Sequence, residues 1–529
     1  MRFDIDLRLY LVTGRELLPP GKSYEESLEE AIKGGVTVVQ VREKKCDTGE
    51  FLDIAQRSKA ICDRHNIPLI INDRVDVALA VGAHGVHLGQ TDMPFAVARK
   101  LLPPNVIIGI SVNTVEEALK ACEDGADYLG IGAVYATSTK DLTKPILGPR
   151  GAARILTALE SKSIKTVVIG GIKRTNVLRT LHGIRSSGPS LRGLDGVAVV
   201  SDIVASTTPF DASKQLYNLT SAALTSFSAR SAPTPFSTEA LLQRAVAAFA
   251  LIRKHGPLVH QITNTVVQNQ SANATLALGA SPIMSANPRE VEDLSKFPGA
   301  LLVNIGTLAE EDTAGMIAAG FHANQHGKPV ILDPVGVGAT AHRRQTCDKL
   351  LNVWQATCIK GNPGEIGALY GSDEVLARGV DSVGAGFADP ASIVKNLARR
   401  EKCVVVMTGP TDWISDGFSV LRIDNGHPLL PNITGSGCMV GSAIACGCAA
   451  VSASAEQARD KDVEDGQLVR GDILAGIVAG LLAITIASEV AGGRADVKGT
   501  GTFLPALIDE LANITPEIIA QKAKLNVLS

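Results

Sequence analysis

Eight short β-branched runs, each followed by a helix-like amphipathic stretch, fill the first ~205 residues of this 529-residue chain. The runs are Arg8–Val12, Thr37–Arg42, Pro68–Asn72, Gly85–Leu88, Val106–Ser111, Tyr128–Ile131, Thr166–Ile169 and Gly196–Val200. Between them lie segments such as Tyr24–Lys33, Glu50–Arg64, Val115–Asp124 and Arg174–Leu181. Neighbouring parallel strands need a long crossover, which a helix supplies. Eight strict alternations therefore predict an α/β fold that opens with an N-terminal (β/α)8 TIM barrel.

Polar and glycine residues gather just after these runs, at Arg42, Asn72-Asp73, Gly89-Gln90, Ser111, the Thr137–Lys144 loop and Gly170-Gly171. In such a barrel these positions form the C-terminal face, where ligands bind. One such residue is ordinary turn chemistry; six convergent loops point to a site. Asp73 and Asp92 offer hard oxygens from adjacent loops, the donor type for a Mg²⁺ that keeps waters and holds a phosphate. Arg42, Lys44 and Lys140 add positive charge, and Asn72 and Ser111 add neutral donors. Two acids, three bases and no convincing general base suggest departure of an anionic group, not proton abstraction. Surface ion pairing is the alternative reading of the acids. Gly183–Gly193 is longer than the approach to the eighth run needs, and reads as either an interface or a loose loop.

Residues 207–237 change character: Ser, Thr, Ala and Pro dominate, with Pro233 and Pro235 near the end. They read as a linker with a helical turn or more around Ser213–Leu224. The expected division is 1–206, a linker at 207–237, and 238–529. Ser237-Thr238-Glu239 then starts a helix running through Arg253. Leu301–Ile305, Pro329–Asp333, Ala356–Lys360 and Cys403–Thr408 read as strands buried on both faces, and Trp413–Ser415 with Ser419–Ile423 as an edge hairpin. Long Ala/Gly-rich helices follow at Gly437–Ala453 and Asp472–Glu489, giving a doubly wound α/β domain. Thr434-Gly435-Ser436-Gly437-Cys438 opens the first of them, where small residues expose backbone N–H groups to an anion. A thiol in that first turn is expected to have a lowered pKa and to act as base or polar partner, the alternative being an inert buried cysteine. Asp333 and Glu365 end or follow buried strands and either share Mg²⁺ or cap helices.

Composition removes several classes. Lys plus Arg is 51 against 54 Asp plus Glu, a net charge of −3, and aromatics are 4%, which argues against a nucleic-acid binder. The nine cysteines show no CxxC pair and read as free thiols of a reducing compartment. Met1–Tyr10 has no signal-like apolar core, and Ile473–Ser488 reads as too short and too rich in Gly, Ser and Thr to span a bilayer. A soluble cytoplasmic protein with no membrane or nucleic-acid partner is expected.

The segments Val39–Lys44, Ile71–Asp76, Gly85–Pro94, Ile110–Thr114, Tyr135–Lys140, Ile169–Ile172 and Val199–Ser201 resemble, in order, those of thiamin phosphate synthases. The resemblance covers about residues 5–206 and implies the same barrel. It also implies joining of a hydroxymethylpyrimidine pyrophosphate to hydroxyethylthiazole phosphate with release of pyrophosphate. By that resemblance Asp73 and Asp92 bind Mg²⁺, and Arg42, Lys44, Asn72, Ser111 and Lys140 hold the pyrophosphate. Gln40 faces the pyrimidine, while Thr137, Thr139, Gly170, Gly171, Val200 and Ser201 hold the thiazole phosphate. Arg42, Ser111 and Lys140 are the catalytic candidates.

The second half resembles the ribokinase-like superfamily. Through His260–Asn269 and Leu278–Met284 it more closely resembles hydroxyethylthiazole kinases, over about residues 238–515. That implies phosphorylation of the thiazole alcohol with ATP and Mg²⁺. Asn264 and Met284 would lie at the alcohol pocket, and Asp333 and Glu365 would organise the metal. Lys360 and Thr408 would contact ATP, Gly435 and Gly437 would form the anion hole, and Cys438 would sit where relatives often carry an Asp base. The kinase product would be the barrel's substrate, and a homo-oligomer built on a kinase-domain trimer is implied. Two other readings stand beside this one: a pathway regulator or scaffold with one inactive domain, and a kinase for a different vitamin-precursor alcohol.

Overall fold

The computed structural model describes residues 5–139, 144–229, 236–372, 374, 376–378, 381–383, 386–460 and 463–528. The chain divides into two compact units, residues 1–230 with 462–467, and residues 231–461 with 468–529.

In the first unit, β1 (Leu9–Val12), β2 (Val38–Val41), β3 (Leu69–Asn72), β4 (Gly85–Leu88), β5 (Ile107–Val112), β6 (Tyr128–Ile131), β7 (Lys165–Val168) and β8 (Gly196–Val199) close a parallel barrel. It is the barrel that the eight runs predict. Alternation along each strand sorts side chains into two cores. Leu9, Leu11, Val39, Val41, Leu69 and Ile71 pack outward against the helices. Tyr10, Val12, Val38, Ile70, Ile107, Tyr128 and Val167 fill the barrel interior. Each fully buried aliphatic chain contributes about 1.5–3 kcal/mol. The same parity puts Gln40, Asn72, His87 and Ser111 on the inner face near the strand ends.

Local signals start and stop the surrounding helices. Ser23 caps Tyr24–Lys33 in a reciprocal box with Glu26, and left-handed Gly125 ends Val115–Asp124. The long approach to β8 is ordered: Glu160 accepts hydrogen bonds from Ser186 Oγ (3.2 Å) and Ser190 N (2.8 Å), and Arg192 donates to the carbonyls of Leu159, Lys162 and Ile164. Within the segment read as a linker, Pro209–Ala229 is one 21-residue helix. Ala212, Leu216, Leu219 and Ala223 form its buried stripe, and it packs on Tyr24–Lys33 and Val177–Gly183. The Arg185 guanidinium lies 4.6 Å from its Phe227 ring.

The second unit begins with Thr238–His255, capped by Ser237. Its strands include β9 (Leu258–Ile262), β10 (Ser281–Ile283), β11 (Gly299–Asn304), β12 (Val330–Asp333) and β13 (Cys358–Gly361). The sheet order is β10-β9-β11-β12-β13, then Val404–Met407, Asp412–Ser415, Val420–Ile423 and Leu525–Val527. The first six strands run parallel and the last three antiparallel, so the sheet is mixed. Alternate residues divide between two helical layers: Leu302, Ile331, Val404 and Val406 on one, Leu301, Val303, Leu332 and Val405 on the other.

Ser436–Ala458 and Ile473–Gly492 are long and apolar enough to cross a membrane by length and composition, with mean hydropathy 1.7 and 2.2. The second runs past Ser488, so the expectation that it is too short does not hold. These two helices pack on each other, and 83% of the apolar window of each is buried within the protein.

Candidate active sites

At the C-terminal mouth of the barrel, a cavity of about 360 Å³ gathers Gln40, Arg42, Lys44, Asn72, Asp73, Asp92, Ser111, Thr137, Thr139, Gly170, Gly171, Val200 and Ser201. Every barrel residue singled out from the sequence is there except Lys140, which lies outside the described residues.

The first group is built from strand ends. Arg42 follows β2 and its backbone N–H donates to Thr13 Oγ1 at 3.0 Å. Asn72 ends β3, 7% exposed, and its Nδ2 has no hydrogen-bond partner among the described residues. Asp73 follows in a left-handed conformation (φ 61°) and pairs with Lys44. Burial and the neighbouring Asp92 carboxylate raise the Asp73 carboxyl, with Lys44 pulling the other way. Two carboxylates facing each other at the cavity wall fit a hard divalent cation that takes its remaining ligands from water and substrate.

The second group is backbone-rich. Thr137 and Thr139 share a hydroxyl hydrogen bond of 2.8 Å. Gly170 and Gly171 have φ 104° and 68°, and a Cβ on either would come within 2.7 Å of the 133–136 loop. Only glycine lets these loops meet there. Sequence reasoning missed Tyr10 and His87, which also line the cavity.

The second unit's cluster forms where β9, β11, β12 and β13 end against the start of Ser436–Ala458. Lys360 Nζ donates to Asp333 Oδ1 (3.2 Å) and to the Gly437 carbonyl (2.9 Å). Asn304 Nδ2 donates to Asp333 Oδ2 (2.8 Å) and lies 3.3 Å from Cys438 Sγ; Asn264 Nδ2 is 3.4 Å from the same sulfur. Gly435, left-handed at φ 83°, caps the helix, and a Cβ there would strike Val267 at 2.5 Å. Thr408 donates its hydroxyl to the Gly361 carbonyl at 3.4 Å. Met284 is half-buried one residue past β10. Asn304 is the residue the sequence reading missed.

Electrostatics here follow burial. Burial opposes the charge on Lys360, but Asp333 and Glu365 outweigh it and raise the ammonium. Burial raises Asp333 against the pull of Lys360. Glu365 is pushed to about 7 by burial and by Asp333. Its two oxygens accept from the backbone N–H groups of Gly336 (3.0 Å) and Asn362 (2.8 Å), so it does cap the helix Pro363–Tyr370. The second lone pairs of this buried carboxylate pair fit Mg²⁺ and its waters. The expectation of a lowered Cys438 pKa is overturned: burial and Asp333 push the thiol up to about 11, more than Lys360 and the two Asn side chains pull it down.

A barrel mouth suited to neutralising a departing anion, together with a helix terminus facing buried carboxylates, belongs to enzymes that make or break bonds to phosphate groups on small molecules. The model of the thiamine monophosphate synthase family matches residues 9–203, and that of the hydroxyethylthiazole kinase family residues 249–517. Over 528 residues the chain is 43% identical to the probable thiamine biosynthetic bifunctional enzyme of Schizosaccharomyces pombe, covering 98% of this chain and 97% of that one. Over 547 residues it is 36% identical to the thiamine biosynthetic bifunctional enzyme of Saccharomyces cerevisiae, covering 97% and 96%. The hydroxyethylthiazole kinase of Histophilus somni is 44% identical over 275 residues, 52% of this chain and 96% of that one. The chain belongs to the family of bifunctional thiamine biosynthetic enzymes, with an N-terminal thiamine monophosphate synthase domain and a C-terminal hydroxyethylthiazole kinase domain that uses ATP. Both domains are enzymes, so the regulator reading and the different-alcohol reading are set aside.

Proposed function

We propose that the barrel cavity takes the pyrimidine pyrophosphate against Gln40, Arg42, Lys44, Asn72, Ser111 and Lys140, and the thiazole phosphate against Thr137, Thr139, Gly170, Gly171, Val200 and Ser201. The observation that carries this reading is Asn72 Nδ2, a buried donor on the cavity wall with no partner among the described residues. An unmet buried donor costs about 1–3 kcal/mol, which a phosphate oxygen would relieve. Asp73 and Asp92 would hold Mg²⁺, which supplies charge neutralisation for the departing pyrophosphate. Arg42 and Lys44 meet the same charge, and Ser111 and Asn72 donate to its oxygens. The C–O bond breaks heterolytically, leaving a pyrimidine-methyl cation that the electron-rich aminopyrimidine stabilises. The thiazole nitrogen then forms the new C–N bond, and no side chain removes a proton.

In the second unit Asp333 and Glu365 would hold Mg²⁺. Lys360 fixes Asp333 and the Gly437 carbonyl, while Gly435 and Gly437 open the helix turn toward the transferring phosphoryl group. Thr408 lies toward ATP, and Asn264 and Met284 toward the thiazole alcohol. Cys438, with its thiol raised to about 11, serves as a neutral hydrogen-bond partner, not a thiolate base. Residues 1–206 and 238–529 are assigned to the two activities. We further assign a cytoplasmic homo-oligomer built on a kinase-domain trimer, with neither membrane nor nucleic acid as partner.

The test is a thiochrome assay on the purified chain with thiazole alcohol, pyrimidine pyrophosphate and Mg²⁺, with and without ATP. ATP-dependent thiamin phosphate is expected. Arg42→Ala should cut it about a hundred-fold even from pre-made thiazole phosphate, whereas Asp333→Asn should be rescued by that compound. Rescue of Arg42→Ala by thiazole phosphate would refute the barrel assignment.

A further inference from the structure

Five side chains from five strands form one continuous hydrogen-bonded chain across the barrel interior. Gln40 Nε2 donates to Tyr10 OH at 2.8 Å, and Tyr10 OH meets Tyr128 OH at 2.7 Å. Tyr128 OH is 2.9 Å from His87 Nδ1, and His87 Nε2 is 2.8 Å from Ser111 Oγ. Tyr10 and Tyr128 are 1% and 0% exposed. The space is built for them: a Cβ on Gly109 would overlap the Tyr128 ring, and one on Gly130 would lie 3.1 Å from His87 Cε1. Both ends of the chain, Gln40 and Ser111, line the substrate cavity.

Each hydroxyl in such a chain has one proton to give, so one bond's direction sets the next. Tyr10 accepts from Gln40, and the acceptor left for its own proton among the described residues is Tyr128 OH, so the proton goes there. Tyr128 accepts from Tyr10 and gives its own to His87 Nδ1. The ring is then neutral with its proton on Nε2, and that proton goes to Ser111 Oγ. Ser111 keeps its own O–H for the cavity, and Gln40 keeps its carbonyl oxygen for the cavity. Burial raises both phenols, so both retain the protons the chain requires.

We propose that this Gln40–Tyr10–Tyr128–His87–Ser111 chain is a directional positioning device. It presents an acceptor, Gln40 Oε1, to the exocyclic amine of the aminopyrimidine and a donor, Ser111 O–H, to the pyrophosphate. The proposal rests on the substrate placement given above. The opposite direction would turn an N–H toward the amine and a lone pair toward the anion, two mismatches at once. Tyr10, Tyr128 and His87 are positioning residues that act through the two ends.

The ring tautomer is read directly by ¹⁵N NMR of the histidine-labelled full chain, with the His87 signals identified by their loss in His87→Gln. The expected result is a ring protonated at Nε2 and unprotonated at Nδ1. A proton on Nδ1, alone or with one on Nε2, overturns the proposal. Steady-state kinetics give the second arm. Tyr128→Phe should raise KM for the pyrimidine pyrophosphate about five-fold, leave KM for the thiazole phosphate unchanged, and show no further loss when combined with Tyr10→Phe. Equal effects on both substrates, or none, overturn it. If Tyr128→Phe fails to fold, the wild-type tautomer decides alone. An unchanged pyrimidine KM in Gln40→Ala would instead strike the substrate placement, and with it the outward ends, while the tautomer still reports the chain's direction.

Discussion

Two residues show how local environment separates binding from structural duty. Asn72 Nδ2 has no hydrogen bond to lose among the described residues, so Asn72→Ala should leave the thermal midpoint nearly unchanged. The same substitution should lower synthase kcat/KM for the pyrimidine pyrophosphate by about ten- to a hundred-fold. Differential scanning fluorimetry beside initial rates checks this, and a large drop in midpoint would show a structural role instead. Cys438 argues the other way. Position in a first helical turn favours a thiolate, yet burial beside Asp333 disfavours negative charge more strongly, and the thiol is pushed up to about 11. It is therefore protonated across the physiological range. Cys438→Ser should keep kinase activity within about ten-fold and leave the pH profile of kcat unchanged between about pH 6 and 8.5. A lost inflection in that range would restore the thiolate base.

At the scale of elements, Asp412 opens the antiparallel part of the sheet with 4% exposure, its Oδ1 accepting from Gly409 N at 2.9 Å. Burial pushes its carboxyl up to about 7 against the pull of that hydrogen bond and of Lys360. An unfolded Asp titrates near 4, so from about pH 4 to about 7 the unfolded chain gives up its proton first, and stability falls as pH rises. Asp412→Asn keeps the acceptor for Gly409 and removes the buried charge. The urea midpoint of the variant should exceed that of the parent at about pH 8, with the gap closing toward about pH 4. Both tryptophans, Trp354 and Trp413, lie in this unit, so their fluorescence reports it without the barrel. The physical reasons that made elements legible are the same ones that hid others. Barrel strands and β11–β13 are buried on both faces and read as continuous apolar runs. β10 is three residues long with Pro282 inside, and Leu525–Val527 is a three-residue edge, so neither has a pattern to find. The helix Pro209–Ala229 hides its stripe of Ala212, Leu216, Leu219 and Ala223 among Ser and Thr. Loop carboxylates and cations of both sites were legible as strand-end chemistry. Asn304 and the Tyr10–Tyr128–His87 chain were not, because their partners come from distant strands that only sheet pairing and barrel closure bring together.

Across the whole molecule, each unit has its own cores, a barrel interior and its helical jacket in one, two helical layers on a sheet in the other. Each described cluster is built from residues of its own unit: Gln40, Arg42, Asn72, Ser111 and Ser201 line the barrel cavity, and Asp333, Lys360 and Cys438 meet within the second unit. The two activities should therefore separate by substitution and recombine through their shared intermediate. Arg42→Ala removes a cation from the pyrophosphate group and should cost the synthase about a hundred-fold while leaving kinase turnover intact. Asp333→Asn should do the converse. Mixed in equal amounts with thiazole alcohol, ATP, Mg²⁺ and pyrimidine pyrophosphate, the two variants should together make thiamin phosphate. The kinase-active chain releases thiazole phosphate into solution, and the synthase-active chain binds it. A lag should precede product while that intermediate accumulates, and it should shorten as total enzyme is raised and vanish when thiazole phosphate is supplied at the start. Failure of the mixture, with each variant still active in its own half-reaction, would show that the intermediate passes within one chain and never reaches another.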